Sequence, residues 1–272
     1  MKDQKIQGAG YRKTNKRTIF LFYILFPVSC FLLTSCASLG TYNPATGQKE
    51  FIFISTQEEL ALGDQVHRQI IQQYAPSFDA ALNQRVQNVG QRLAQVSDRQ
   101  DYPYQFFVID DKELNAFTIP GGRIYVFRGL LERITRDDQL AAVLAHEIGH
   151  TAAKHTVKKF QAAMGYDLIS QIVFGAIGEG QASQIASLSS GAIMQIVFSA
   201  YGRKDEYQAD SLAIKYMNLT GFDLNGIIEV FEILKAASEG GEPPEILSTH
   251  PHLDDRIIAV KQQIETIENP AQ

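Results

Sequence analysis

Residues 138–150 read Asp138-Gln-Leu-Ala-Ala-Val-Leu-Ala-His-Glu-Ile-Gly-His150, a run of helix formers that ends in two histidines four residues apart. At about 100° per residue, the step from His146 to His150 turns a helix by roughly 40° net, so both imidazoles leave one face, one turn apart. That spacing suits two ligands on one zinc ion. Glu147 lies about 100° round from His146, beside such an ion rather than on it, where a carboxylate can take a proton from a water on the metal. The stretch predicts a zinc-dependent hydrolase. A histidine pair on a helix is otherwise an ordinary polar face, but Leu140, Val143 and Leu144 mark this helix as a buried one. Buried His and Glu need partners to offset desolvation. Upstream, Thr135-Arg136-Asp137-Asp138 reads as a capping box that starts the helix.

A catalytic zinc takes three protein ligands and leaves one position for water. The downstream candidate is Glu206, in Tyr201-Gly-Arg-Lys-Asp-Glu-Tyr-Gln-Ala-Asp210, where Leu212, Ile214 and Met217 continue a half-buried helical pattern. Asp210 lies one turn further on the same face. Glu206 can then bind metal while Asp210 accepts the outer N–H of a ligating imidazole and fixes its tautomer. The other histidines are read differently. His67 and His252 have no ligand-like spacing, and on a continuous helix His155 points roughly 180° from His146, as a surface or packing residue.

With these motifs the chain resembles the HtpX-like and CAAX-prenyl-protease-type zinc metallopeptidases, within the gluzincin class. The likeness is carried by Asn115-Ala116-Phe117 with Pro120-Gly121-Gly122, by His146, Glu147 and His150, by Arg203-x-x-Glu206-x-x-x-Asp210, and by Ser248-Thr249-His250-Pro251 with Arg256-Ile257. Gly202 departs from it, standing where relatives often carry Ser. The resemblance implies one zinc per chain, held by His146, His150 and Glu206, with Glu147 as general base and Asp210 supporting the site. It also implies a quality-control metalloendopeptidase whose substrates are unfolded or misassembled proteins of the bacterial envelope. A different class stays open: a chaperone-like assembly factor for outer-membrane proteins, with low or latent proteolysis. A membrane-embedded prenyl-protein protease fits poorly, because beyond the leader no stretch approaches the roughly 18 apolar residues of a span.

Around the predicted zinc helix, residues 104–109 and 123–127 read as strands, and the Pro120-Gly121-Gly122 turn sets residues 115–119 antiparallel to the second of them. Asn115, Ala116 and Phe117 then form an edge to which an extended substrate can add as a further strand, or a hairpin that only packs the core. His250 and Arg256 flank a loop-to-helix junction, and either can approach the metal or the oxyanion. His250 can also fill the open metal position when substrate is absent. Phe78, Leu82, Val86, Val89, Leu93 and Val96 predict a one-faced helix, residues 50–55 a short strand, and residues 160–200 two helices joined by a mobile segment at Gly175, Gly178 and Gly180. Asp223 caps a helix reaching Lys235, and residues 253–267 supply the last. The fold class is α+β and mainly α, a zincin-like domain with a small antiparallel sheet beside the active-site helix.

The N-terminus concerns location. Lys2, Lys5, Arg12, Lys13, Lys16 and Arg17 precede an apolar run over residues 19–33, then Leu33-Thr-Ser-Cys36. This reads as a signal peptide over residues 1–35 with Cys36 as the lipid-bearing residue, the alternative being an uncleaved membrane helix interrupted by Pro27. Residues 36–48 are the anchor and tether and residues 49–272 the catalytic domain. Cys30 leaves with the leader, so no disulfide is expected. Ala37 is compatible with sorting to the outer membrane, facing the periplasm. The first 35 residues hold six of the 25 basic and one of the 30 acidic residues, leaving 19 against 29. That acidic balance argues against nucleic acid or an anionic membrane surface as main partner, so lipid rather than charge is the expected tie to the bilayer.

Overall fold

A helix rich in alanine can be approached closely from every side, and the chain is built around one. The computed structural model describes residues 41–52, 54–174, 190–239 and 243–269. The elements are β1 Thr41–Asn43, β2 Gln48–Glu50, α1 Thr56–Gln73, α2 Ala80–Ala94, β3 Gln105–Ile109, β4 Ala116–Ile119, β5 Arg123–Phe127, α3 Arg128–Arg133 and α4 Asp137–Ala152. There follow α5 His155–Phe174, α6 Ser190–Val197, α7 Arg203–Thr220, α8 Asn225–Glu239, α9 Glu245–Thr249 and α10 Leu253–Glu268. The predicted zinc helix is α4, buried almost throughout, with α2, α7, α8 and the sheet against it. Its start differs from the expected capping box. Thr135 is not the cap; the Gln139 side chain reaches back to accept the backbone N–H groups of Thr135 and Arg136 at 2.9 and 3.1 Å.

The sheet has order β3-β5-β4. β4 and β5 form the expected antiparallel hairpin, with Gly121 and Gly122 at φ 83° and 81°, a conformation glycine adopts without a Cβ clash. The small sheet is thus present with its antiparallel pair, and its third strand makes it mixed. β3 pairs in parallel with β5, Gln105 opposite Arg123 through Ile109 opposite Phe127, because the chain passes beyond β5 to lay down β4 and returns through the hairpin. Side chains alternate between two cores. Phe106, Val108, Ile124 and Val126 face the core of α2, α4, α7 and α8. Phe117, Ile119, Tyr125 and Phe127 face α1, α5 and α6, where Tyr125 stacks between Phe107 and Phe117 at 5.0 and 4.9 Å.

Other expectations need adjustment at their ends. The helix over the Val86–Leu93 stripe begins at Ala80, because the Asp79 carboxylate accepts from Ala81 and Leu82 N–H and stops it there. Phe78 therefore lies outside the helix and is 92% exposed. Of the described residues in 50–55 only Glu50 lies in a strand, as the end of β2, and Ser55 caps α1 in a capping box with Glu58. The compact unit runs from Tyr42 to Gln272, so it takes in most of the stretch read as a tether. There the β1–β2 hairpin is fixed to the corner after α4 by Asn43 donating to the Ala153 carbonyl, 3.2 Å, and by Glu50 paired with Lys158, 2.8 Å. Among the described residues of 160–200 lie α5 and α6; Gly175, Gly178 and Gly180 between them lie outside the described residues, as do residues 1–35 and Cys36. Asp223 accepts from Asn225 N–H at the start of α8, which runs on to Glu239. Among the described residues no helix is long and apolar enough to cross a membrane.

Among the described residues the most extensive helix contact is α4 on α7. A Cβ on Gly149 would stand 2.9 Å from the Ala209 carbonyl oxygen and 3.1 Å from its Cα, so glycine is what lets the two backbones meet. Gly149→Val adds helix propensity but forces α7 off, and overpacking of this kind costs about 1–3 kcal/mol. Urea unfolding should show that loss. Metal analysis should show less zinc retained, since Glu206 and Asp210 ride on α7.

Candidate metal centre

Because α4 and α7 touch at Gly149 and Ala209, the side chains three residues before and one residue after that contact converge. The Nε2 atoms of His146 and His150 are 3.0 Å apart. Glu206 places Oε1 3.4 Å from His150 Nε2 and Oε2 3.6 Å from His146 Nε2. From the joint between α9 and α10, His250 brings Nδ1 to 3.1 Å from Glu206 Oε1 and 3.2 Å from His146 Nε2. Each of the four residues offers one donor atom, all within 4.8 Å of one another. Zinc takes nitrogen and carboxylate donors at about 2.0–2.2 Å, which sets tetrahedral corners about 3.3 Å apart. The residues fit that ion in type, number and spacing. His150 and Glu206 are wholly buried, and His146 keeps 12% of its side chain accessible.

Behind these donors lies a second layer. Asp210 Oδ1 is 2.9 Å from His146 Nδ1, the contact expected from the four-residue step on α7. Arg256, 3% exposed, donates Nε and Nη2 to the two Asp210 oxygens at 2.8 and 2.7 Å and sets Nη1 2.5 Å from Glu206 Oε2. Burial alone would raise both carboxyls. His250 and Arg256 beside Glu206 outweigh it, as Arg256 does beside Asp210, and both acids stay ionised below their ordinary range. Arg256 is thus committed to the carboxylates, which leaves His250 as the better placed of the two residues expected near an oxyanion. Glu147 is 1% exposed, with Oε1 3.5 Å from His250 Nε2 and with Oε2 free of any hydrogen-bond partner. An apolar pocket opens beside His146, Glu147 and His250, walled by Val143, Ala213, Ile227, Val230, Phe231 and Leu234.

On the sheet side, β4 is the outer strand and packs on α4; Thr118 Oγ1 lies 2.8 Å from Thr151 Oγ1. Asn115, Ala116 and Phe117 are buried there, and neither side-chain polar atom of Asn115 has a hydrogen-bond partner. His67 binds the Tyr125 hydroxyl instead, 2.6 Å, and His252 is exposed at the start of α10, so neither joins the centre. His155 corrects the sequence reading. It is 1% exposed and its Nδ1 is 3.0 Å from His150 Nδ1. The assumption of a continuous helix fails because α4 ends at Ala152 and Lys154 takes φ 58°. Tyr201, a residue with no ligand signal, stacks on the His150 ring at 3.8 Å, and the Lys159 ammonium lies 3.8 Å from the centre of the Tyr201 ring.

A model of Peptidase family M48 matches residues 80–264. The chain is 30% identical to the mitochondrial metalloendopeptidase OMA1 of Schizosaccharomyces pombe, over 81% of this chain and 65% of that protein. It is 29% identical to a protein of Vibrio cholerae named putative beta-barrel assembly-enhancing protease, over 75% of this chain and 43% of that protein. With the beta-barrel assembly-enhancing protease of Escherichia coli K12 the figures are 27%, 79% and 45%. The chain thus spans about half to two thirds of the length of these relatives.

Burial also makes the centre acid-sensitive. It pulls His150 well below 6.5 and His155 down to about 4. Below about pH 6.5 the unfolded chain takes up protons that the folded apoprotein refuses. The stability these residues carry is therefore complete above that pH and lost as the pH falls below it, for His155 down to about 4 and by about 1.4 kcal/mol per pH unit. Urea unfolding of chelator-treated protein from pH 8 to 4.5 measures this; a level profile would contradict it.

Proposed function

Since this chain belongs to peptidase family M48, we propose that it is a zinc-dependent metalloendopeptidase of the bacterial cell envelope that cleaves unfolded or misassembled envelope proteins. The observation that carries this reading is the convergence of His146, His150, Glu206 and His250 beside a buried Glu147. His146, His150 and Glu206 hold the metal. The chemistry a bound zinc supplies is Lewis acidity, which polarises a carbonyl and brings the pKa of water to about 7. Glu147 takes the proton of the attacking water on its unpartnered oxygen and passes it to the leaving amine. Asp210 keeps His146 oriented, and Arg256 keeps both acids ionised. The β4 edge, with Asn115, Ala116 and Phe117, receives the substrate backbone, so cleavage makes little demand on sequence.

His250, with Nδ1 beside Glu206 and His146, would in this reading be a fourth donor to the metal at rest. A zinc with four protein ligands is closed to substrate, so the resting chain has low activity, which also accommodates a chaperone-like assembly role. The likeness to the beta-barrel assembly-enhancing protease and to the mitochondrial metalloendopeptidase OMA1 supports this reading. The HtpX-like and prenyl-protease likeness is kept for the zinc motif alone. Lipid attachment at Cys36 and a place on the periplasmic side of the outer membrane complete the proposal.

Glu147→Gln is expected to keep stoichiometric zinc while losing at least about 100-fold in cleavage of casein or a misfolded envelope protein. Chelator should abolish wild-type cleavage. Retained proteolysis in the variant would exclude Glu147 as base; binding of clients without any cleavage by wild type would favour the assembly factor. His250→Ala should raise basal cleavage and weaken zinc binding, and no change in either would remove His250 from the resting site.

A further inference from the structure

The corner after α4 does something that the zinc site as described leaves unexplained. On an uninterrupted helix, His155 would stand about 140° round from His150. Instead α4 stops at Ala152, the chain turns through Lys154 at φ 58°, and α5 starts at His155 itself. The corner is tied on several sides. Lys154 N–H donates to the Thr151 carbonyl at 3.0 Å, Asn43 donates to the Ala153 carbonyl, and the Lys154 ammonium is 3.8 Å from the buried Glu59 carboxylate. A non-glycine residue in the left-handed region persists only where its surroundings hold it. Its effect is to turn the imidazole of His155 onto the back of His150, the rings edge to face with centroids 5.0 Å apart.

We infer that His155 is a positioning residue for His150, holding that imidazole in the one tautomer whose Nε2 can bind a metal. The inference rests on the zinc-site reading above. Its warrant is proton bookkeeping along one line of atoms. His155 Nε2 faces two acceptors on α7, Gln208 Oε1 at 3.1 Å and Asp205 Oδ1 at 3.5 Å. A carboxylate can only accept, so the proton sits on His155 Nε2 and His155 Nδ1 is bare. That bare nitrogen is 3.0 Å from His150 Nδ1, which must then carry the hydrogen. His150 Nε2 is left with its lone pair facing His146 and Glu206. If Gln208 were turned to donate instead, the protons would shift along the line and close His150 Nε2 to any cation; the Asp205 contact opposes that state.

The two imidazoles on α4 are therefore supported by different chemistries. His146 leans on the Asp210 carboxylate, which Arg256 neutralises. His150 leans on a neutral imidazole, which fixes its ring without adding a further negative charge beside Glu147, Glu206 and Asp210.

The test is a competitive zinc titration of the full chain against a chromophoric chelator, with wild type, His155→Phe, His155→Asn and Gln208→Met compared. Loss of an outer partner of a ligating histidine weakens metal binding by about 10–100-fold, and that is the loss expected for His155→Phe. His155→Asn, whose Oδ1 can accept from His150 Nδ1–H, should recover most of it; Gln208→Met, at a half-buried rim position, should lose a few-fold. Long-range 15N–1H correlation of zinc-loaded wild type should show His150 protonated at Nδ1 and His155 at Nε2, and this result stands even if His155→Phe does not fold. Wild-type affinity in His155→Phe, equal weakness in the Phe and Asn variants, or a proton on His150 Nε2 would each overturn the inference while leaving the zinc site intact. A wild type that binds no zinc would instead take down the zinc reading itself, and this inference with it.

Discussion

The closeness of α4 to α7 is the constraint on which the centre depends. Gly149 meets Ala209 backbone to backbone, and on either side of that contact each helix carries a pair of functional residues four apart. His146 and His150 stand on α4, Glu206 and Asp210 on α7. Glu206 reaches His150 while Asp210 reaches the outer nitrogen of His146, so the two pairs face each other in opposite chain directions. Four-residue steps keep each pair on one face. The crossing then sets which acid serves as a donor to the metal and which as a support behind it. A separation of one or two ångströms would dissolve both assignments together.

That crossing buries three carboxylates, Glu147, Glu206 and Asp210, and a single guanidinium, Arg256, pairs with the last two. Buried ion pairs seldom add stability over an apolar core of equal volume, because desolvation consumes most of the Coulombic gain. The arrangement is better understood as enforcing charge state and direction. Arg256 keeps Asp210 ionised and therefore an acceptor, and it does the same for Glu206. Glu147 is outside those hydrogen bonds, with one oxygen unpartnered. An acid that has to exchange protons gains from lacking a fixed counter-ion, while acids that only orient or ligate gain from having one.

How much of this was legible in the sequence follows from how local each signal is. The His146, Glu147, His150 cluster and the Glu206–Asp210 step are readable because helix geometry converts spacing directly into a shared face. The β4–β5 hairpin is readable from its Pro-Gly-Gly turn. The parallel pairing of β3 with β5 is not, since it is decided by which strand of the hairpin lies inward, a question of packing between distant residues. Phe78 extends the apolar period of α2, yet Asp79 caps the helix one residue later and leaves the ring exposed. His155 was misjudged for a related reason. The period was carried across Lys154, and a lysine gives no hint of a left-handed turn, which glycine or asparagine would have signalled.

His250 shows what such a site can do beyond gathering ligands. Its Nδ1 approaches Glu206 and His146, and its Nε2 lies 3.5 Å from Glu147. On the proposed reading, one side chain thus stands both at the fourth metal position and against the base, so the ion and the proton acceptor are withheld together. What fixes it is modest. His250 N–H donates to the Ile246 carbonyl within five-residue α9, Arg256 donates to the His250 carbonyl at 3.4 Å, and Tyr201 N–H donates to the Thr249 carbonyl at 3.0 Å. These bonds hold the backbone, while the imidazole itself is held by its contacts with Glu206 and His146. On that same proposed reading, a substrate that displaced the ring would open the metal position and free Glu147 together, while His146 and Glu206 would keep their contacts with Asp210 and Arg256.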